Sequence, residues 1–347
     1  MLFSFFHKLS LVTNVRVVKM FKQKNIIKYL LILTMLFTIS PTTYATNEVT
    51  HEKRTELYKQ LEYVTHVPWY YIAAVDQYER NIRTSRKDLP DPQGLSGVYF
   101  QPEKWVGELN PNKEDDNLLS ITFFNGFGKD GDGDGKASLH SDMDVLYTIT
   151  NYLSSYGTDE DAIRIALWDY YKRDKSVKII MGFSQLYKTY QTIQLDKRHF
   201  PIPKYSNYTY KNTWGAARGF GGRRSHEGTD IFAGYGVNVM STCYGIVELK
   251  GWNRFGGWRI GIRDTNNNYH YFAHLNGFAK GIKVGSIVEP GQVIGSVGSS
   301  GYGPPGTSGK FPPHLHYGIY KDNGISEWSY DPYPHLKRWE REMRSKK

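Results

Sequence analysis

The chain of 347 residues holds a single cysteine, Cys243. An internal disulfide is therefore excluded, and so is a thiolate metal cluster. Any metal must be held by His, Asp or Glu. Acidic residues are the minority charge, 34 against 44 Lys and Arg, which leaves a net charge of +10. The basic residues lie in several patches, and this suits an anionic partner without choosing between nucleic acid, anionic lipid and the anionic polymers of a bacterial wall. Long apolar runs are scarce as well. The run at 29–39, YLLILTMLFTI, follows Lys19, Lys22, Lys24 and Lys28 and is too short for a comfortable membrane span. With the small residue Ala45 beyond it, it reads as an export signal or an uncleaved anchor over residues 1–45. Either reading puts the remainder outside the cytoplasm, and export without disulfides fits a Gram-positive-type cell surface.

What the chain does have is a hydrophobic fraction of 39%, enough for two packed cores. Residues 46–195 carry helical signals: Pro68 suits a first helical turn, Thr158 is an expected N-cap followed by acids, and Gly157 is an expected stop. A Pro-bearing linker at 196–213 follows. Residues 214–335 are glycine-rich, and short β-type runs such as GIVELKG, WRIGIRD and YHYFAHL alternate there with turn signals. A basic tail at 336–347 ends the chain. The expected class is a multidomain α + β protein, with a helical domain before a β domain.

The β half concentrates the chemistry. RRSHEGTD separates His226 from Asp230 by four positions, YFAHL supplies His274, and FPPHLHYGI supplies His314 and His316. Residues i and i+2 of a strand project to one side, so His314 and His316 can address one object. Two adjacent imidazoles make sense where one binds a metal and the other faces the water on it. The glycine-rich stretch 295–309 is not a phosphate loop, since SGKF has Phe where Ser or Thr is required. It is expected to wall a substrate groove.

RGFGGRRSHEGTDIFA, YFAHL and GSSGYGPPGTSGKFPPHLHYGI together resemble the lysostaphin-type zinc endopeptidases, which cut peptidoglycan cross-links or stem peptides. The resemblance spans about residues 200–335 and implies a compact antiparallel β fold. It makes His226, Asp230 and His316 the Zn2+ ligands and His314 and His274 the catalytic pair. Two imidazoles and one carboxylate leave a fourth tetrahedral position open, as catalytic zinc requires. The overall arrangement looks most like the sporulation-associated L-Ala-D-Glu endopeptidases of spore-forming bacilli, which implies a cell-wall or spore-envelope location.

In the helical half, VPWYYIAAVDQYER, GLSGVYFQPEKW and IALWDYYK resemble the lysozyme-like fold of lytic transglycosylases over about residues 60–190. That resemblance puts a second catalytic acid on Glu79. It departs from the family at Arg80, Tyr99 and Tyr171, which stand where Ser, Gln and Asn are usual, and the adjacent Arg80 is expected to keep Glu79 ionised. The competing reading is a module that binds glycan without cutting it. DGDGDG places Asp130, Asp132 and Asp134 as in the first half of an EF-hand loop, a candidate Ca2+ site lacking the Glu at its twelfth position, which is Ser141.

The expected activity is zinc-dependent hydrolysis of peptidoglycan amides, with peptidoglycan stem peptide and glycan as partners. A noncatalytic wall-binding regulator and a transglycosylase acting through Glu79 are the alternatives. Export and the metal constellation together disfavour nucleic acid.

Overall fold

The computed structural model describes residues 40–219 and 222–345, so the apolar run at 29–39 lies outside the described residues. Among the described residues no helix is long and apolar enough to cross a membrane. Residues Arg54–Lys347 pack as one compact unit.

The first half of the described residues is helical: α1 (Ser40–Thr65), α2 (Trp69–Arg83), α3 (Pro102–Val106), α4 (Leu118–Phe123), α5 (Asp142–Ser154), α6 (Glu160–Tyr171) and α7 (Asp174–Tyr190). Helix α2 follows Pro68, whose fixed φ prepares the first turn. Helix α6 begins one residue later than expected from Thr158. Asp159 is its N-cap, and the Asp159 carboxylate accepts from the backbone N–H groups of Asp161 and Ala162. Tyr58, Ile72, Tyr78, Trp105, Leu146 and Phe183 join a core that runs on to Leu195.

The second half is a β structure of β1 (Tyr208–Tyr210), β2 (Ala217–Arg218), β3 (Arg224–Ser225), β4 (Thr229–Ala233), β5 (Asn238–Met240), β6 (Gly245–Asn253), β7 (Gly257–Arg263), β8 (Asn268–Phe278), β9 (Ile287–Val288), β10 (Val293–Val297), β11 (His314–Asp322) and β12 (Glu327–Tyr330). The main path runs β1-β4-β11-β8-β7-β6-β9, and its pairings are antiparallel. One face is a separate core beginning at Phe200, with Ile231, Phe272, Leu315 and Tyr317 fully buried. Helix α8 (Tyr333–Ser345) closes that core with Leu336 and Trp339, so part of the basic segment 336–347 is packed.

Polar clamps join the two halves. Asp322, fully buried, accepts twice from Arg173, at 3.0 and 2.6 Å, while Asn81 donates to the Thr265 carbonyl at 2.9 Å. Lys175 bridges to Glu327 at 2.9 Å.

Candidate metal centre

Strand register assembles the centre. His316 lies opposite Asp230 on β4 and Ala273 on β8, so three adjacent strands bring these residues into one row. Leu315 and Tyr317 point into the core, which sends His314 and His316 to the other face, as their spacing predicts. His226 arrives from the turn before β4, where its N–H donates to the Ala216 carbonyl at 2.9 Å.

The three potential ligand atoms form a near-equilateral triangle. His226 Nε2 is 2.9 Å from His316 Nδ1 and 3.0 Å from Asp230 Oδ1, and His316 Nδ1 is 3.1 Å from Asp230 Oδ1. Ligands about 2.0–2.1 Å from a tetrahedral zinc lie roughly 3.3 Å apart, so the triangle fits that ion with a slight expansion. The donor chemistry fits as well. His226 Nδ1 lies 2.7 Å from the Thr213 carbonyl oxygen, which can only accept, so the proton sits on Nδ1 and Nε2 turns a lone pair inward. Asp230 uses its other oxygen, Oδ2, to accept from Arg218, and its backbone N–H donates to Thr213 Oγ1 at 3.1 Å. Burial opposes a charge on Asp230, yet His226 and His316 hold it well below the usual carboxylate range.

His314 and His274 flank the triangle. His314 Nε2 stands 3.8 Å from Asp230 Oδ1, and the His314 and His274 rings are 4.8 Å apart. Each pins Nδ1–H on a carbonyl, His314 on Pro312 at 2.9 Å and His274 on Ser300 at 2.8 Å, leaving Nε2 free to take a proton. Burial lowers the basicity of both, and that of His274, with the His314 and His316 rings beside it, falls to about 3.

His274 reaches the groove by breaking the strand's alternation. His270 and Phe272 are buried in the core, and strict period two would send His274 after them. Its φ of +60° turns the chain instead, held by donation from its N–H to the Gly256 carbonyl at 2.7 Å. A groove of about 700 Å3 runs over the row, walled by Tyr302 from the glycine-rich stretch and by Phe311 and Pro312 just beyond it.

Glu79 sits apart, in the helical half. Burial pushes its carboxyl up to about 7, although Tyr171 donates to Oε1 at 2.6 Å. The expectation that Arg80 keeps it ionised is overturned, since Arg80 turns to the Leu95 carbonyl and to Asp76. Neighbouring residues on a helix point about 100° apart, so adjacency in sequence carries no contact. In the acidic loop, Asp144 rather than Asp134 joins Asp130 and Asp132 in a grouping of metal-ligating type. Asp130 already accepts from Gly133 and Gly135, Asp144 from Gly131 and Ser138, and Asp134 from Lys136.

Thr213, Arg218 and Ser300 support the centre and were missed as site residues by the reading of the sequence. Thr213 lies in the linker, where no motif marks it.

Comparison with known proteins bears on these features. The profile of Peptidase family M23 matches residues 224–330. The L-Ala--D-Glu endopeptidase of Bacillus subtilis (strain 168) is 63% identical over 324 residues, covering 93% of this chain and 99% of that protein. Lysostaphin of Staphylococcus simulans is 33% identical over 32% of this chain and 21% of its own length. The solved catalytic domain of that lysostaphin is 31% identical, covers 38% of this chain and 93% of its own, and has a TM-score of 0.31.

Proposed function

The chain belongs to peptidase family M23, and on that premise we propose that it is a zinc endopeptidase that hydrolyses the L-Ala–D-Glu amide of peptidoglycan stem peptides. The observation that carries this reading is the triangle of His226 Nε2, Asp230 Oδ1 and His316 Nδ1, with two further imidazoles facing it. The B. subtilis relative, similar along almost its whole length, supports the choice of bond.

His226, Asp230 and His316 would hold the zinc, which when bound supplies Lewis acidity and lowers the pKa of a water to about 7. The chain's own residues do the rest. His314 Nε2, free of any carbonyl, accepts a proton from the attacking water and returns it to the departing amine nitrogen. His274 is the proposed partner at the tetrahedral oxyanion. With Nδ1 committed to Ser300, it can donate from Nε2 only as the imidazolium, whose added proton comes from solvent and returns there when the intermediate collapses, and burial opposes that charge until negative charge develops opposite it. Asp230 keeps its orientation through Arg218 and Thr213. His226 is oriented by the Thr213 carbonyl.

Mass spectrometry of fragments released from purified peptidoglycan, with and without chelator, tests the proposal. New alanine carboxyl ends and glutamate amino ends should form only without chelator. Release at another bond, or release that chelator leaves untouched, would refute it.

A second reading concerns the helical half, for which a lysozyme-like glycan-handling role is supported by Glu79, whose carboxyl is half-protonated near neutrality. A group of that kind can protonate a glycosidic oxygen. Anhydro-sugar ends that vanish in Glu79→Gln would favour cleavage. Their absence from wild-type digests would leave glycan binding as the reading. An extracellular, wall-facing location follows from the peptidoglycan substrate, and the spore envelope is the proposed site.

A further inference from the structure

The charges of the groove do not balance within the protein. Three carboxylates line it, and each is engaged: Asp230 belongs to the metal triangle, Glu227 accepts from the Tyr320 hydroxyl at 3.1 Å, and Glu327 is paired with Arg263 at 2.7 Å. Three arginines line it too, and only Arg218 has a carboxylate, that of Asp230. Among the described residues Arg224 and Arg259 form no ion pair, and the buried Nε of Arg259 has no hydrogen-bond partner. Buried donors are almost always satisfied, because an unmet one costs the desolvation it suffered. A guanidinium that lines a groove with no carboxylate of its own, and only the Tyr271 side chain beside it, can take a carboxylate that arrives with the substrate, which its planar fork matches.

Its position fits that purpose. Arg259 lies on β7, next to β8, and the Tyr271 ring of β8 stands between that strand and the metal row, 5.9 Å from the His316 ring. Arg224 stacks over Phe255 at 4.9 Å, and Phe255 precedes the Gly256 carbonyl that receives the His274 N–H. Both cations that lack a carboxylate partner therefore flank the catalytic row on its β7 side. Glutamate has two carboxyl groups, and a stem peptide continues through only one of them. The glutamate at an Ala–Glu cut thus keeps a free carboxylate, which from ordinary bond lengths lies on the order of 4–6 Å from the scissile carbonyl carbon.

We propose that Arg259, aided by Arg224, binds the free carboxylate of the residue on the amine side of the scissile bond and so selects acidic peptides. The assignment rests on the endopeptidase reading of the same groove and adds the substrate group that the groove discriminates.

The test uses the full-length zinc-loaded chain and two synthetic stem peptides, one with the glutamate carboxylate free and one with it converted to the amide, with products identified by mass. Wild type should cut the free acid at the Ala–Glu bond with a kcat/KM about 10- to 100-fold above that of the amide. Arg259→Gln should bring that ratio close to one while retaining zinc, and Arg259→Lys should restore part of it. An unchanged ratio in Arg259→Gln, or no preference in wild type, overturns the inference and leaves the peptidase standing. Cleavage by wild type only at another bond overturns both.

Discussion

Gly228 lies between two proposed ligands, His226 and Asp230, and Gly228→Ala probes how tightly the centre is built. A Cβ there would stand 2.6 Å from His316 Cε1, 2.7 Å from His316 Nε2 and 2.6 Å from the Tyr317 carbonyl oxygen. Carbon atoms in contact prefer about 3.5–4.0 Å, so the shortfall approaches 1 Å. Tyr317 cannot yield, because it pairs with Thr229 in the β4–β11 ladder. Either the His316 ring swings away or the turn retreats with His226 and Asp230, and zinc sites tolerate only about 0.2 Å in their bond lengths. Overpacking of this kind costs about 1–3 kcal/mol, which for a chain of this size lowers Tm by roughly 1–5 °C. Zinc affinity should fall about 10- to 100-fold, as for other disturbances of ligand orientation. Chelator competition and thermal melting measure both quantities. Gly234→Ala is the control, since its Cβ would meet only Val237 at an ordinary 3.6 Å. A Gly228→Ala protein that binds zinc and melts like wild type would refute the reasoning.

Thr213→Val removes the acceptor for the Asp230 N–H and keeps the backbone carbonyl that orients His226, so zinc should weaken by up to about tenfold in the same competition assay. Asp322→Asn strands Arg173, itself partly exposed, and should cost about 2–4 kcal/mol in denaturant unfolding, somewhat less than a fully buried pair. The buried His270 gives a pH dependence. Burial opposes its charge, but Cys243 and Asp264 beside it prevail and raise it to about 9. A raised histidine stabilises fully below its unfolded pKa of about 6.5 and loses that contribution as pH rises through 9. Arg198 and His270 hold Asp264 low, despite its burial, and that contribution is lost as pH falls below about 4. The unfolding midpoint should therefore be higher at pH 6 than at pH 9.5, and His270→Gln should flatten the difference.

The candidate residues of the centre were legible because each part obeys a local rule, whereas their division into ligands and catalysts came from the family resemblance. Period two puts His314 and His316 on one face, and the short turn from His226 to Asp230 keeps those two side by side. Of the wall expected from the glycine-rich stretch, Tyr302 lines the groove, while Phe311 and Pro312 come from just beyond it. His274 was named from its motif, but its route to the groove was hidden, because a positive φ in a non-glycine residue overrides the alternation that a sequence displays. Arg80 and Glu79 mislead for the opposite reason, being adjacent in the chain and divergent on the helix. Asp144 entered the acidic loop in place of Asp134 because the turn returns to the start of α5, a closure that an EF-hand spacing does not describe. The packing of Leu336 and Trp339 was masked by the charges around them. Arg259 had no motif, and only the groove gives it meaning.

The central claim is that His226, Asp230 and His316 grip one metal while His314 moves protons beside it. Zinc content per chain, measured after dialysis in wild type, His226→Ala, His316→Ala and His314→Ala and set against peptide release by each, tests this most directly. One zinc in wild type and in an inactive His314→Ala, with none in the other two, is the expected result. A full zinc complement in His226→Ala or His316→Ala would contradict it.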